Sequence, residues 1–407
     1  MKLEISQLSK ETQALIRDAN QVIGELYKHG YEAYIVGGAV RNILLKEDIN
    51  DIDITTNCLP EDLLSIFART VPIGIEHGTV LVLWGNNQFE VTTFRTDGEY
   101  IDHRRPEQVQ FVSDLKSDLE RRDFTINALA INDSFDIIDY FDGQNDLINK
   151  QIRAVGIAEH RFQEDALRII RAIRFQSVLD FEIEEHTLQA IHKLATTIKY
   201  VSIERIVVEM KKLLQGKGIE KALKLFYQTI YAYVPFFKSL KGDTEAYQFH
   251  SSIEFNIYIA YIIYCEQKFG HDLISQISTL KLSNQDKKNI KDLVTIFDHL
   301  NNPKMTKKAF VYRFDLTMIQ TVNEFIQAEG LFFDNLMDSQ ETKHIYRQLP
   351  IHSRDDININ GNILINYLQK KPGPWLKTLI NTIEIEVIEG RLDNQQETIL
   401  EWAKQHV

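Results

Sequence analysis

The stretch Glu32–Thr56, EAYIVGGAVRNILLKEDINDIDITT, leaves its part of the chain few ways to fold. An apolar run ends in adjacent glycines, Gly37 and Gly38; AVRNILL then carries apolar residues at helical spacing, and DIDIT alternates as a strand does. The order is strand, tight turn, short helix, acidic strand. Side chains alternate across a strand, so Asp51 and Asp53 share one face, about 7 Å apart at their Cα atoms, while Ile52 and Ile54 take the other. Two acids so placed bracket a metal, or they form the solvated face of an edge strand; taken alone, the second is the commoner case.

The surroundings are of mixed type. Residues 9–29 place Ala14, Leu15, Ala19, Val22, Ile23, Leu26 and Tyr27 at helical spacing, with Gly30 as a stop. Strands are expected at GTVLVLWG, QFEVTTFR, VQFV, INALAIN and DIIDYF, which makes the first 150 residues α+β. From Arg161 onward helical periodicity takes over, punctuated by Gly216 to Gly218, Pro235, Gly242, Pro303, Gly361 and KPGP, so the remainder is expected to be mainly helical. A chain of 407 residues exceeds one ordinary core and suggests two to four domains. IEFNIYIAYIIY, broken by Glu254 and Asn256, is too short to span a bilayer and reads as a core helix. Two cysteines cannot make a disulfide framework, and with no leader evident the expected compartment is the cytoplasm, without membrane attachment.

A net charge of −12 argues against nonspecific coating of nucleic acid but leaves room for a local basic groove. Basic residues gather in HRRP and RRD, and around Lys304, Lys307, Lys308 and Arg313.

Adjacent glycines between a strand and a helix let backbone N–H groups approach a phosphate, and Arg41 could clamp it with two hydrogen bonds. Neither G-x-G-x-x-G nor G-K-[ST] is present, so this is no dinucleotide fingerprint or P-loop. A phosphate cradle beside paired carboxylates suggests nucleotidyl transfer assisted by two Mg²⁺ ions, with Glu90 a candidate third acid. In EDALR, Asp165 and Arg168 lie three apart on an expected helix, and Glu164 lies four before Arg168, where it can orient the guanidinium. An Asp acceptor beside an Arg donor matches the amino group and ring nitrogen of cytosine or adenine and opposes guanine and uracil. By itself E-D-x-x-R is usually a surface salt bridge.

GGAVRNILLKEDINDIDITT, RRDFTINALA (Arg121–Ala130) and EDALRIIRAIRF (Glu164–Phe175) together resemble the bacterial class II tRNA nucleotidyltransferase and poly(A) polymerase family. GIEHGTV, EVTTFRTDGEYIDHRRPEQVQFV, ERIVVEMKKLL, DININGN and KPGPWLKTLI extend the resemblance over nearly the whole chain. It implies a polymerase-β-like head at 1–150, a helical neck at 151–215, a helical body at 216–300 and a helical, tRNA-binding tail at 301–407. It implies Mg²⁺ on Asp51 and Asp53; phosphates on Gly37, Gly38, Arg41 and Arg122; and ribose and triphosphate recognition by Arg122 and Asp123 with help from Asn127. Asp165 and Arg168 become a protein template for CTP and ATP, and Arg171 and Arg174 join the nucleotide-binding candidates.

The activity implied is template-independent addition of C, C and A to a tRNA 3′ end. The alternatives are a poly(A) polymerase, a CC- or A-adding specialist, or a noncatalytic RNA-binding protein on this fold. The loop RTDGEYIDHRRPEQV favours complete CCA addition, and its part from Arg95 to Arg105 is expected to adjust the site after two C additions. The resemblance leaves monomer and homodimer both open. Three positions depart from the family pattern: Asn42 stands where Asp is common, Lys46 where Gly is usual, and Asp142 at the first Gly of a Gly-Gly hinge.

Overall fold

The computed structural model describes residues 5–97, 100–101, 105–106 and 109–406. The loop expected to adjust the site, Arg95 to Arg105, lies partly outside them, at 98–99 and 102–104. Two compact units divide the chain, Met1–Ser252 with Thr279–Lys281 and Ile253–Ser278 with Leu282–Val407.

The first unit opens with α1 (Lys10–Lys28), N-capped by Ser9, whose side chain accepts from the Thr12 N–H. Ile16, Ala19, Val22, Ile23 and Leu26 form its buried stripe. Next come β1 (Ala33–Val36), α2 (Gly38–Leu44), β2 (Asp53–Thr56), β3 (Thr70–Gly74), β4 (Thr79–Trp84) and β5 (Asn87–Thr93). Two further strands, Leu129–Ile131 and Ile137–Asp139, complete a seven-stranded sheet. Its order is Ile137–Asp139, Leu129–Ile131, β1, β2, β5, β4, β3. The sheet is mixed, because β2 pairs with β1 antiparallel and with β5 parallel. Strand pairing begins at Asp53, so Asp51 precedes the strand proper; the alternation nevertheless holds through it, with Ile52 and Ile54 buried and Asp51 and Asp53 exposed. INALAIN is split: Thr125–Asn127 is a 3₁₀ turn and only Leu129–Ile131 is strand.

Outside that sheet, the described residues of the first unit form two antiparallel pairs, Arg95–Asp97 with Val109–Phe111 and Tyr100–Ile101 with Arg105–Pro106, and one parallel pair, Gln151–Ile152 with Glu182–Ile183; after Ile183 their regular elements are helices. In the second unit the helix Phe255–Lys268 is buried on nearly all sides, as the apolar run requires. Its Tyr261 and Tyr264 pack on Phe297, with ring centroids 5.5 and 5.7 Å apart. Among the described residues no helix is long and apolar enough to cross a membrane. Cys58 and Cys265 are buried free thiols.

Two of the departures from the family pattern have a backbone reason. Lys46 sits at φ 60° and Asp142 at φ 65°, the left-handed region that glycine enters without penalty. Asp tolerates that region better than Lys does, and the Asp142 carboxylate also accepts from the Asn145 amide at 2.5 Å. Lys46 is exposed and gains no such contact from its side chain among the described residues. Lys46→Gly is therefore expected to stabilise the first unit by about 0.5–1 kcal/mol, the relief of left-handed strain less glycine's extra unfolded entropy. Urea unfolding followed on the first unit's transition checks this, and an unchanged or lower midpoint would count against the strain.

Candidate active site

The turn after β1 is built around Gly37, at φ 74° and ψ −138°. A Cβ there would lie 3.1 Å from Arg122 Nη1 and 3.8 Å from Asp53 Oδ2, so glycine is required by conformation and by space. Arg122 thus crosses the turn beside the acid at the start of β2.

These groups open onto a cleft of about 560 Å³ lined by Gly37, Gly38, Ala39, Arg41, Asn42, Ile49, Asp51, Asp53, Arg121, Arg122, Asp123, Asn127, Asp165, Leu167, Arg168, Arg171, Arg174, Phe175, Arg205 and Lys212. In a chain of net charge −12 the lining reverses sign, with eight cationic side chains against four acids. Burial, with Arg174 nearby, pulls the Arg41 guanidinium down to about 10. Arg174 is likewise lowered, first by burial and then, against the pull of Glu209, by Arg171. Cations held down this way favour an anion among them.

Among the described residues, Asp51 and Asp53 make no ion pair. Asp53 is exposed to the cleft, yet the protein packed around it raises its carboxyl; Glu90 raises it further and Arg122 opposes. The β2–β5 ladder places Glu90 opposite Asp53, outside the residues lining the cleft. No three His, Cys, Asp or Glu side chains among the described residues form a group able to hold a metal by themselves. Two hard carboxylates facing a cleft still fit Mg²⁺, which takes one or two such ligands and completes its shell with water and substrate phosphates.

Arg122 and Asp123 are not paired with each other. Arg122 Nη2 reaches Asp118 at 3.3 Å, and Asp123 Oδ2 accepts from Arg171 Nε at 2.8 Å. Burial pushes the Asp123 carboxyl up, but Arg171 and the Asn127 amide outweigh it and hold the group at about 2. Asn127 donates to Asp123 at 3.0 Å and accepts from Arg41 Nη1 at 2.6 Å. Asn42 accepts from Arg41 Nε and Nη2 at 3.1 and 2.8 Å. Two neutral amides therefore aim Arg41 without cancelling its charge.

The base-reading candidates differ from expectation. Asp165 and Arg168 do not share one continuous helix, because Asp165 terminates the helix Ala158–Glu164 in extended conformation and Arg168 lies in the next, Leu167–Leu179. The break is stabilised by Asp165 itself, whose Oδ1 accepts from the Leu167 N–H at 3.0 Å. Arg205 Nη2 grips Asp165 Oδ2 at 2.8 Å. Arg168 Nη1 donates to Glu164 at 2.6 Å and to the Arg161 carbonyl at 3.0 Å, and its Nη2 donates to the Arg121 carbonyl at 2.8 Å. Its Nε and one Nη2 hydrogen are left for a ligand.

Sequence reading missed Arg205, Lys212, Arg121 and Phe175. The Phe175 ring carries three guanidiniums, Arg174, Arg41 and Arg171, at 3.8, 5.1 and 5.6 Å from its centroid. Phe175 follows Arg168 and Arg171 by seven and four residues on one helix, a spacing legible in advance. Arg205 stands forty positions from Asp165 and has no such signal. In the second unit the basic cluster is partly compensated: Lys304 pairs with Asp298 at 2.6 Å and Lys307 with Glu341 at 2.5 Å, while Arg313 lies 5.2 Å over the Phe314 ring.

Comparison with known proteins finds relatives over nearly the whole chain. A model of the poly A polymerase head domain matches residues 33–153, one of the RNA- and SrmB-binding site of polymerase A matches 180–239, and one of tRNA nucleotidyltransferase domain 2 matches 248–403. The CCA-adding enzyme of Staphylococcus epidermidis is 40% identical over 403 residues, covering 97% of this chain and 98% of its own. That of Staphylococcus aureus strain bovine RF122 / ET3-1 is 41% identical over 406 residues, with 97% and 99% covered. The crystal structure of the Bacillus stearothermophilus CCA-adding enzyme in complex with CTP superposes with a TM-score of 0.83 at 34% identity, covering 96% of this chain and 97% of that one.

Proposed function

The chain belongs to the CCA-adding enzymes, the class II tRNA nucleotidyltransferases, and on that premise we propose how its cleft divides the work of adding C, C and A to a tRNA 3′ end. In each addition the terminal hydroxyl oxygen of the RNA bonds to the α-phosphorus of CTP or ATP, the bond from that phosphorus to the bridging oxygen breaks, and pyrophosphate leaves. The observation that carries the assignment is the pair Asp51 and Asp53, two acids without an ion pair among the described residues, in a cleft whose cationic side chains outnumber its acids.

Asp51 and Asp53 would hold Mg²⁺, with Glu90 the next acid along the ladder. Bound there, the metal would supply charge stabilisation, easing deprotonation of the attacking hydroxyl and offsetting the charge on the departing pyrophosphate. Gly37 and Gly38 let the backbone close on the triphosphate, and Arg41 and Arg122 meet its charge. Asp123 and Asn127 align Arg41 and Arg171 around the ribose and phosphates, and Arg174, stacked on Phe175, adds to the cationic wall. Asp165 accepts from the exocyclic amino group of cytosine or adenine; Arg168, oriented by Glu164, donates to the ring nitrogen. Guanine and uracil would set donor against donor and acceptor against acceptor, leaving buried groups unpaired.

We assign residues 1–150 to the head, 151–215 to the neck, 216–300 to the body and 301–407 to a tail that holds tRNA, and place the reaction in the cytoplasm. The direct test supplies tRNA ending before CCA, Mg²⁺, and CTP and ATP singly and together, then sequences the 3′ ends. Complete CCA is expected from the mixture and C additions from CTP alone. A long A tail would identify a poly(A) polymerase, and arrest at CC, or addition of A only to tRNA already ending in CC, a specialist.

A further inference from the structure

Asp118 has no role in the proposed reaction, yet it is fully buried and bonds two guanidiniums that line the cleft. It lies on the helix Leu115–Glu120, and its Oδ1 accepts from Arg121 Nε and Nη2 at 3.0 and 2.8 Å. Its Oδ2 accepts from Arg122 Nη2 at 3.3 Å and lies 3.2 Å from the hydroxyl of Thr55, on β2, whose single hydrogen it shares with the Thr92 carbonyl, also at 3.2 Å. The Arg95 backbone N–H approaches Oδ1 at 3.4 Å. One carboxylate facing two guanidiniums leaves a positive charge over at the Gly37 turn.

Two acids compete for Arg122. Asp118 holds it, whereas Asp53, whose Oδ2 and Arg122 Nη1 both lie within 4 Å of where a Gly37 Cβ would be, forms no ion pair with it. Arg122 Nε is buried without a hydrogen-bond partner, and Nη1 lies over the turn. Held at Nη2, the guanidinium keeps Nη1 at the Gly37 turn, on the cleft side; released, it would fall onto Asp53.

We propose that Asp118 is a positioning residue for nucleotide binding: it keeps Arg122 off Asp53 and aimed at the triphosphate, with Thr55 fixing the carboxylate. The inference rests on the reading that Arg122 meets phosphate. A residue that merely supported the fold would change melting and the amount of active protein, not affinity for phosphate.

Equilibrium binding of CTP, ATP and inorganic pyrophosphate is measured for wild type, Asp118→Asn, Arg122→Gln, the double variant and Thr55→Val, with thermal melts alongside. Asp118→Asn is expected to weaken all three ligands by a common factor of about 10, the loss of one charge-assisted contact, without altering preference between CTP and ATP. Adding it to Arg122→Gln should cost nothing further, because both act through one guanidinium. Full additivity, or wild-type pyrophosphate affinity in Asp118→Asn, overturns the inference. If Arg122→Gln alone leaves pyrophosphate binding intact, the phosphate role of Arg122 fails and the inference with it. If Asp118→Asn does not fold, Thr55→Val decides: a smaller loss of the same ligands upholds the proposal, and unchanged binding overturns it.

Discussion

Asp51→Ala and Asp53→Ala are each expected to abolish addition of both C and A while leaving the protein folded. Losing a ligand that stabilises transition-state charge removes several kcal/mol, about a thousandfold in rate for ~4 kcal/mol. The defect should be the same for CTP and ATP, since the α-phosphorus is common to both. Stability should not fall with it. Burial and Glu90 raise the folded carboxyl of Asp53, so at neutral pH its ionised form destabilises the fold, and that burden eases as pH drops. Asp53→Ala is therefore expected to melt no lower than wild type at neutral pH. Single-turnover extension of tRNA, with calorimetry on the same samples, gives both readouts. Turnover near the wild-type rate in either variant would remove these acids from the chemistry.

The second large effect is on choice of base. Asp165→Ala and Arg168→Ala are each expected to lose roughly 10- to 200-fold in incorporation of CTP and ATP, the worth of one charge-assisted contact to the base. Misincorporation of GTP and UTP should rise relative to them, most in Arg168→Ala, where the donor that clashes with a ring N–H is gone. Arg168 is 7% exposed and its removal strips a partner from Glu164, so melts must accompany the kinetics. Glu164→Gln keeps the guanidinium and loosens only its orientation, and should give a smaller shift of the same kind. The assay offers all four nucleotides to each variant on one tRNA. If Asp165→Ala and Arg168→Ala both discriminate as wild type does, the segment does not read the base.

What was legible in advance is what leaves a local trace. Alternation in DIDIT, the glycine pair and the helical spacing of residues 9–29 each reflect a period or a backbone demand within a few residues, and each appears in the structure. EDALR misled on geometry for a local reason. An Asp can cap a new turn as readily as continue a helix, and here Asp165 accepts from the Leu167 N–H. Arg205 on Asp165, Arg122 on Asp118 and Asn127 between Arg41 and Asp123 were not legible as partnerships. A hydrogen bond across tens of residues depends on how elements pack and imposes no spacing on the chain. The family pattern marked Lys46 and Asp142 as departures, and only the backbone angles explain why glycine is usual there.

The order of strands also bears on how the head is made. β2, which begins at Asp53, sits inside the sheet, and its neighbour β1 is closed on the far side by Leu129–Ile131, with Ile35 opposite Ile131. Nearly a hundred residues separate those partners, so closing this edge carries the slow, entropically costly step that distant pairing imposes on folding. During synthesis, a ribosome that has released only the first hundred residues has made both acids and the glycine turn, but has left β1 with an open hydrogen-bonding edge. Closure of the sheet on the side of β1 away from β2 is thus held back until a segment far downstream emerges, and nascent chains stalled before it are the ones most exposed to aggregation.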